Sequence, residues 1–284
     1  MAMSSQVAPT VAEVHRALLN ETSGSSELFM TGFTEETTAA VIAVLGDLDE
    51  PPTIRLLASE SVLKWLRRDF HLASTAADLV AAEKLSLRTA EESVRNAVVV
   101  GEESVVSLVV TSGRAAGLHT DDTVFVENMR EQFSDAWKSA EAFDLRTPPR
   151  SRVYETLTEE IGAEVAADLQ TVFDAVETTR SGGYGSTDDD PLDEVGLTLL
   201  AAAKHDVQLY EISRWGENVG LASKATFSRA KGRLEEQGMI ATEKVPIDVG
   251  RPRLRLMFSA DQLREVEASD LPDAVREMLA SAAA

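Results

Sequence analysis

The sequence predicts an α/β chain in two parts: an N-terminal α/β domain with a small mixed sheet, and a C-terminal module of three helices closed by a β-hairpin. Three observations predict it. Short apolar runs alternate with amphipathic stretches through the first half, the pattern of strands interleaved with helices. Residues 180–191, "RSGGYGSTDDDP", are rich in Gly, Ser and Asp and form a linker, so the domain boundary is expected there. Beyond it, three stretches of helical spacing lead into two short alternating runs.

Residues 1–10 are expected to be a flexible N-terminus and 11–145 the α/β domain. "ELFMTGF" (27–33) is a strand. "TEETTAAVIAVLGDL" (34–48) is a helix capped by Thr34, with Thr37 standing where a full capping box needs an acid or amide. Pro51-Pro52 leads into a second strand, "PTIRLLAS" (52–59). Residues 60–84 are helical with a break near Ala73-Ser74, and "LSLRT" (85–89) is β-like. Two Val-rich runs within 96–118 are separated by Gly-Glu-Glu and end near Ser-Gly-Arg, which is hairpin grammar; 120–143 returns to helical spacing. Pro148-Pro149 then stops any helix, and 151–179 holds one or two helices in a helical connector over 146–180.

After the linker (181–191), the module over 192–260 opens with a helix apolar at Val195, Leu199 and Ala202. The second helix carries Ile212, Trp215 and Val219 at spacings of three and four and closes at Gly220. The third, 223–238, ends at Gly238. "MIATEKV" and "RPRLRLMF" are strands joined through "PIDVG", and 261–284 is a helical tail. Three helices followed by a β-hairpin match the winged helix-turn-helix, a DNA-binding fold.

Charge supports that match. Ala222–Arg255 holds eight basic and four acidic residues, a balance of +4, whereas the other 250 residues hold 19 basic and 44 acidic, a balance of −25. A positive island on so negative a chain calls for a polyanionic partner, double-stranded DNA. The plainer alternative is a solvated surface paired with Glu235, Glu236, Glu243 and Asp248. Of the 27 basic residues, 20 are Arg and only seven Lys. An acidic, Lys-poor, Ala- and Val-rich chain has the composition of a protein from a salt-accumulating halophile, because concentrated salt screens self-repulsion. An ordinary acidic bacterial protein is the alternative. The absence of cysteine excludes disulfides and thiolate metal sites and fits a cytoplasmic protein. Neither a secretory leader nor a membrane span is predicted.

On a helical wheel of the third helix, Phe227, Ala230 and Leu234 share the buried side. Ala225, Ser228, Arg229, Gly232 and Arg233 point away from it. Small residues permit close approach to bases, and Arg forms paired hydrogen bonds to guanine O6 and N7. Lys224 and Thr226 flank this face and suit phosphate contacts. Lys231 stands where a large apolar residue commonly sits; its stem is expected to pack while its ammonium reaches solvent. In the hairpin, Arg251 sits in a tight loop, and alternation puts Arg253 and Arg255 opposite Leu254 and Leu256. Such a wing lies along the backbone or enters the minor groove.

At these residues a family resemblance emerges. "LYEISRWGENVGLASKATFSRAKGRLEEQGMIATEKVPIDVGRPRLRL" closely resembles the C-terminal domain of the haloarchaeal TbsP transcriptional regulators. "ASTAADLVAAEKLSLRT" and "LRTPPRSRVYETL" are similar to the same family's N-terminal region. The resemblance implies a haloarchaeal regulator of central sugar metabolism, since the family is named for its genetic link to the sugar-responsive regulator TrmB.

An enzyme and a small-molecule sensor are the alternatives. As an enzyme, the chain would need a site. His15, His71, His119 and His205 lie far apart in sequence, no Gly-x-Ser-x-Gly elbow occurs, and no cofactor motif is present. As a small-molecule sensor, the α/β domain could hold a phosphorylated effector through Arg88, Arg95 and Arg114 near strand ends; the alternative is surface arginines countering acid. A homodimer is expected, with the α/β domain and helix 151–179 as candidate interface.

Overall fold

The computed structural model describes residues 5–8, 13, 26–90, 96–111, 114–179, 191–246, 252–259 and 261–282. The chain divides into two units, Met1–Arg146 and Thr147–Ala284. Composition predicts the boundary at 180–191 instead. The difference arises because the connector helices pack into the second unit, as described below.

In the first unit, strands β1 (Ser5–Ala8), β2 (Glu27–Thr31), β3 (Thr53–Ser59), β4 (Leu85–Ala90), β5 (Ala97–Val100), β6 (Val105–Thr111), β7 (Arg114–Thr120) and β8 (Glu141–Ala142) form one sheet. Its order is β1-β7-β6-β5-β2-β3-β4-β8. β2, β3 and β4 run parallel and every other pairing is antiparallel, so the sheet is mixed, and at eight strands it is wider than expected. Residues 5–8, expected within a flexible tail, form β1 and pair with β7.

Successive residues of a strand face opposite sides, and at the central strands both sides are covered. Leu28 and Met30 join Ile54, Leu56, Leu85 and Leu87 in one core with Val41, Ile42, Leu45, Leu63, Leu66 and Leu79. Those last six come from α1 (Glu35–Gly46), α2 (Glu60–Arg68) and α3 (Phe70–Ala81). On the opposite side Phe29, Leu57, Val100 and Val105 meet Val126, Phe133 and Trp137 of α4 (Thr123–Ser139).

Two local details depart from the sequence reading. The N–H of Thr37 donates to the Thr34 hydroxyl at 3.3 Å, and the N–H of Thr34 donates to Thr37 Oγ1 at 2.8 Å. The reciprocal capping box is therefore complete, with a threonine hydroxyl doing the task assigned to an acid or amide. The break in the 60–84 helical region falls at Asp69 rather than at Ala73-Ser74. Asp69 is extended, ends α2, and caps α3 by accepting the Leu72 N–H at 3.1 Å.

The second unit is built around one buried helix. α7 (Glu194–Lys204) is apolar on all sides, and residues 195–203 are all buried. It is surrounded by α6 (Ala163–Thr179), α9 (Lys224–Glu236) and β10 (Arg253–Phe258). α5 (Arg150–Glu160) packs on α6 and on α8 (Leu209–Val219), and the Trp215 indole N–H donates to Thr156 Oγ1 at 3.0 Å. Residues 151–179 are thus two helices, separated at Ile161–Gly162. β9 (Ile240–Val245) pairs antiparallel with β10, and α10 (Asp261–Arg264) and α11 (Leu271–Ala282) follow. Among the described residues no helix is long and apolar enough to cross a membrane.

Candidate nucleic-acid interface

α8, the turn after it and α9 form a helix-turn-helix. Gly220 takes φ +89°, a left-handed conformation that glycine adopts without steric cost. The N–H of Leu221 then donates to the Gly216 carbonyl at 2.8 Å, completing the C-cap. Ser223 starts α9, its hydroxyl accepting the Thr226 N–H at 3.2 Å. The two helices cross closely because Gly216 has no side chain. A Cβ there would stand 2.3 Å from the Phe227 ring. Phe227, Ala230 and Leu234 are buried, the face the wheel predicted.

The hairpin is tied to this pair. The Leu256 N–H donates to the Val207 carbonyl at 2.9 Å, and Gln208 bridges to Arg255 in antiparallel fashion. Leu256 and Phe258 are buried, while Arg253 and Arg255 are partly exposed on the other side. Between α8, the start of α9 and β10 lies an open trough of about 430 Å³, lined among others by Tyr210, Ser213, Lys224, Ser228, Arg253 and Leu254.

The nine residues expected to touch DNA therefore fall into groups. Lys224, Ser228 and Arg253 converge on the trough. Ala225 and Arg229 are exposed beside it, with Arg229 Nη2 3.4 Å from Thr226 Oγ1. Thr226 is half-buried and shares a 2.9 Å hydrogen bond with the Ser223 hydroxyl, so its first task is to cap the helix. Arg255 pairs with Glu243 at 3.3 Å across the hairpin. Arg251 lies outside the described residues.

Arg233 is turned to another use. Its guanidinium lies 3.2 Å from Asp193 Oδ2, while Asp193 Oδ1 accepts the Gly196 N–H at the start of α7. It fastens α9 to α7. The Lys231 side chain is mostly buried and reaches Glu235 at 2.7 Å, and Glu235 also accepts from the Thr242 hydroxyl.

Two side chains at the trough stood outside the sequence expectation. Tyr210 is 44% exposed, large for an aromatic residue. The guanidinium of Arg253 lies 4.0 Å from its ring centroid and that of Arg214 5.8 Å. Arg214 precedes the basic island, so a charge window over 222–255 misses it. The signal was local all the same: Tyr210 and Arg214 are four apart on one helix.

Electrostatics at the rim are mixed. Lys224 donates to Glu217 at 2.6 Å, and this bond, with the Lys224 backbone N–H, holds the Glu217 carboxyl below the usual carboxylate range. Arg229, Arg253 and Arg214 have no ion-pair partner among the described residues. With the exposed Lys244 of β9, they carry uncompensated positive charge among the described residues of this surface.

In the first unit, Arg88 does not reach for a ligand. Its Nη1 donates to the carbonyls of Trp137 at 2.6 Å and Ala140 at 3.3 Å, and its guanidinium stacks 4.8 Å from the Trp137 ring. It closes the C-terminus of α4, where orphan carbonyls and the helix dipole favour a cation. Arg95 lies outside the described residues, as does the side chain of Arg114. Among the described residues no group of three or more His, Asp or Glu is placed to hold a metal.

No curated protein matches the chain. Solved structures similar to it include TrmBL2, described as an archaeal chromatin protein with a novel mode of DNA binding (15% identity, 49% of this chain and 54% of that one, TM-score 0.35). Others are the phospholipase D family member Nuc from Salmonella typhimurium (12% identity, 50% and 99%, TM-score 0.33) and NucT from Helicobacter pylori (13%, 50% and 99%, TM-score 0.33). The chain thus spans about half the length of TrmBL2. Residues 149–276 match "Transcriptional regulator TbsP-like, C-terminal HTH domain", and residues 3–148 match "Transcriptional regulator TbsP-like, N-terminal". With both units matched, the chain belongs to the family of TbsP-like transcriptional regulators.

Proposed function

We propose that the protein is a sequence-specific regulator that binds a promoter operator in double-stranded DNA, reading bases with α9 and holding the backbone with β10. The observation that carries this reading is the trough, where Lys224 and Ser228 of one helix meet Arg253 of the hairpin. Ala225, Ser228 and Arg229 form an exposed face that is small enough for close approach and ends in a guanidinium suited to guanine. Acting on chromosomal DNA, the protein works in the cytoplasm.

The regulator acts as a homodimer on a two-fold operator, because one winged module supplies few base contacts. The sheet of the first unit supports this. Val109 and Leu118 share one face and are each 43% exposed, and Val124 and Phe125 of α4 are exposed too. α5 and α6 are weaker candidates, since Val153, Leu157, Leu169, Val172 and Phe173 are already fully buried in the single chain. The acidic, Lys-poor composition supports work in molar salt, and the family resemblance points to genes of central sugar metabolism.

The test is selection of bound duplexes from a random pool in molar potassium chloride. Enrichment of a two-fold sequence is expected. A pool that stays random, recovered at the level of non-specific binding, would overturn the reading.

A further inference from the structure

The trough carries a feature that base reading by α9 does not use. Tyr210 lies in the first turn of α8, on the side of the surface where β10 passes. An exposed tyrosine costs hydration of an apolar ring, and here the ring is faced by two arginines. Arg253, at 4.0 Å, is close enough for its guanidinium carbon to rest directly on the π face, where the ring quadrupole attracts a cation. Arg214 approaches the same ring from one helical turn further along α8.

We infer that Tyr210 is a positioning residue of the DNA interface, its ring holding Arg253 and Arg214 as a paired guanidinium clamp for the phosphate backbone beside the wing. The inference rests on the DNA-binding reading above. A guanidinium held against a ring keeps its N–H edge free for a phosphate oxygen, and it has less rotamer freedom left to lose on binding. Neither arginine has a carboxylate partner among the described residues, so neither must break an ion pair to bind. Lys224 and Arg255 differ, being held by Glu217 and Glu243. The clamp therefore supplies a phosphate contact that is ready in the free protein, on a strand tied to α8 through Val207 and Gln208. Ser213, whose hydroxyl donates to the Tyr210 carbonyl at 3.3 Å, steadies that turn.

The experiment measures affinity for a fixed duplex across salt concentration, with thermal unfolding followed in parallel. Tyr210→Phe keeps the ring and should bind as the wild type does. Tyr210→Leu should weaken binding about three- to tenfold, without regard to sequence and without lowering the unfolding temperature. Arg253→Lys keeps the charge, discards the planar stack, and should show a similar loss. On an Arg253→Ala background, Tyr210→Leu should add little, because the positioned group is gone. Wild-type affinity in both Tyr210→Leu and Arg253→Lys would overturn the clamp while leaving the DNA reading intact. A wild-type protein that fails to bind any duplex would overturn both.

Discussion

Arg229 and Arg253 differ in what their surroundings let them do. Arg229 is exposed on the outer face of α9, and Arg253 rests on Tyr210 at the rim. Arg229→Ala is expected to cost about 1–3 kcal/mol at the preferred operator and to relax preference at one base position. Arg253→Ala should weaken all sequences alike and lower the salt dependence by about one charge. Affinities for the operator and for single-base variants of it check both. Arg233 is a different case. The wheel set it beside Arg229, but its partner Asp193 lies 40 residues away, and no local pattern shows that. Arg233→Ala should therefore lower stability, by about 1–3 kcal/mol in denaturant titration, and leave base preference unchanged. Arg88 was missed for the same reason, its partner carbonyls lying 49 and 52 residues on. Glu217 adds a pH term. Its folded carboxyl lies low, held by Lys224, so its contribution to stability is present above the unfolded value and is lost as pH falls through the folded one. Glu217→Gln should remove that part of the acid loss and, by freeing Lys224, strengthen binding to any duplex.

Elements were legible wherever the signal was periodic. α7, α8 and α9 stand where apolar spacing and Gly220 put them, because a buried stripe and a left-handed cap leave local marks. The wing was legible as alternation, with Leu256 buried and Arg253 and Arg255 partly exposed, although Leu254, expected beside Leu256, is only half-buried and lines the trough. Less visible were features set by contacts distant in sequence: β1 pairing with β7, the width of the sheet, and the joining of α5 and α6 to the second unit. The Gly-rich segment looked like a boundary because composition reports chain stiffness, whereas the boundary is set by what packs on what. The close crossing of α8 and α9 was hidden for a similar reason, since Gly216 reads as a weak point in a helix until Phe227 is seen against it. Gly216→Ala should cost about 1–3 kcal/mol through overpacking. Combined with Phe227→Leu, it should be less destabilising than the two single costs together predict, which a double-mutant cycle in denaturant will show.

Over the whole molecule, charge sets two opposed terms. Screening weakens attraction between the +4 island and phosphate, yet it relieves the repulsion of the remaining −25 for DNA and for itself. With eight basic residues in the island, the attractive slope is modest, and specific binding is expected to survive molar potassium salt. A steep monotonic fall in affinity from about 0.1 M to 2 M, with circular dichroism showing a folded protein throughout, would contradict adaptation to salt. Light scattering in the same salt should give the mass of a dimer, and replacing Leu118 and Phe125 with aspartate should return the monomer. Both expectations sit on the central claim that the surface formed by α9 and β10 grips DNA. The measurement that tests it most directly is fluorescence anisotropy of a labelled operator with wild type and with the Arg229→Ala/Arg253→Ala double variant, in molar potassium chloride, alongside the unfolding temperature of each. The account predicts binding weaker by at least about tenfold in the double variant at an unchanged unfolding temperature. Equal affinity of the two proteins would show that DNA is gripped elsewhere.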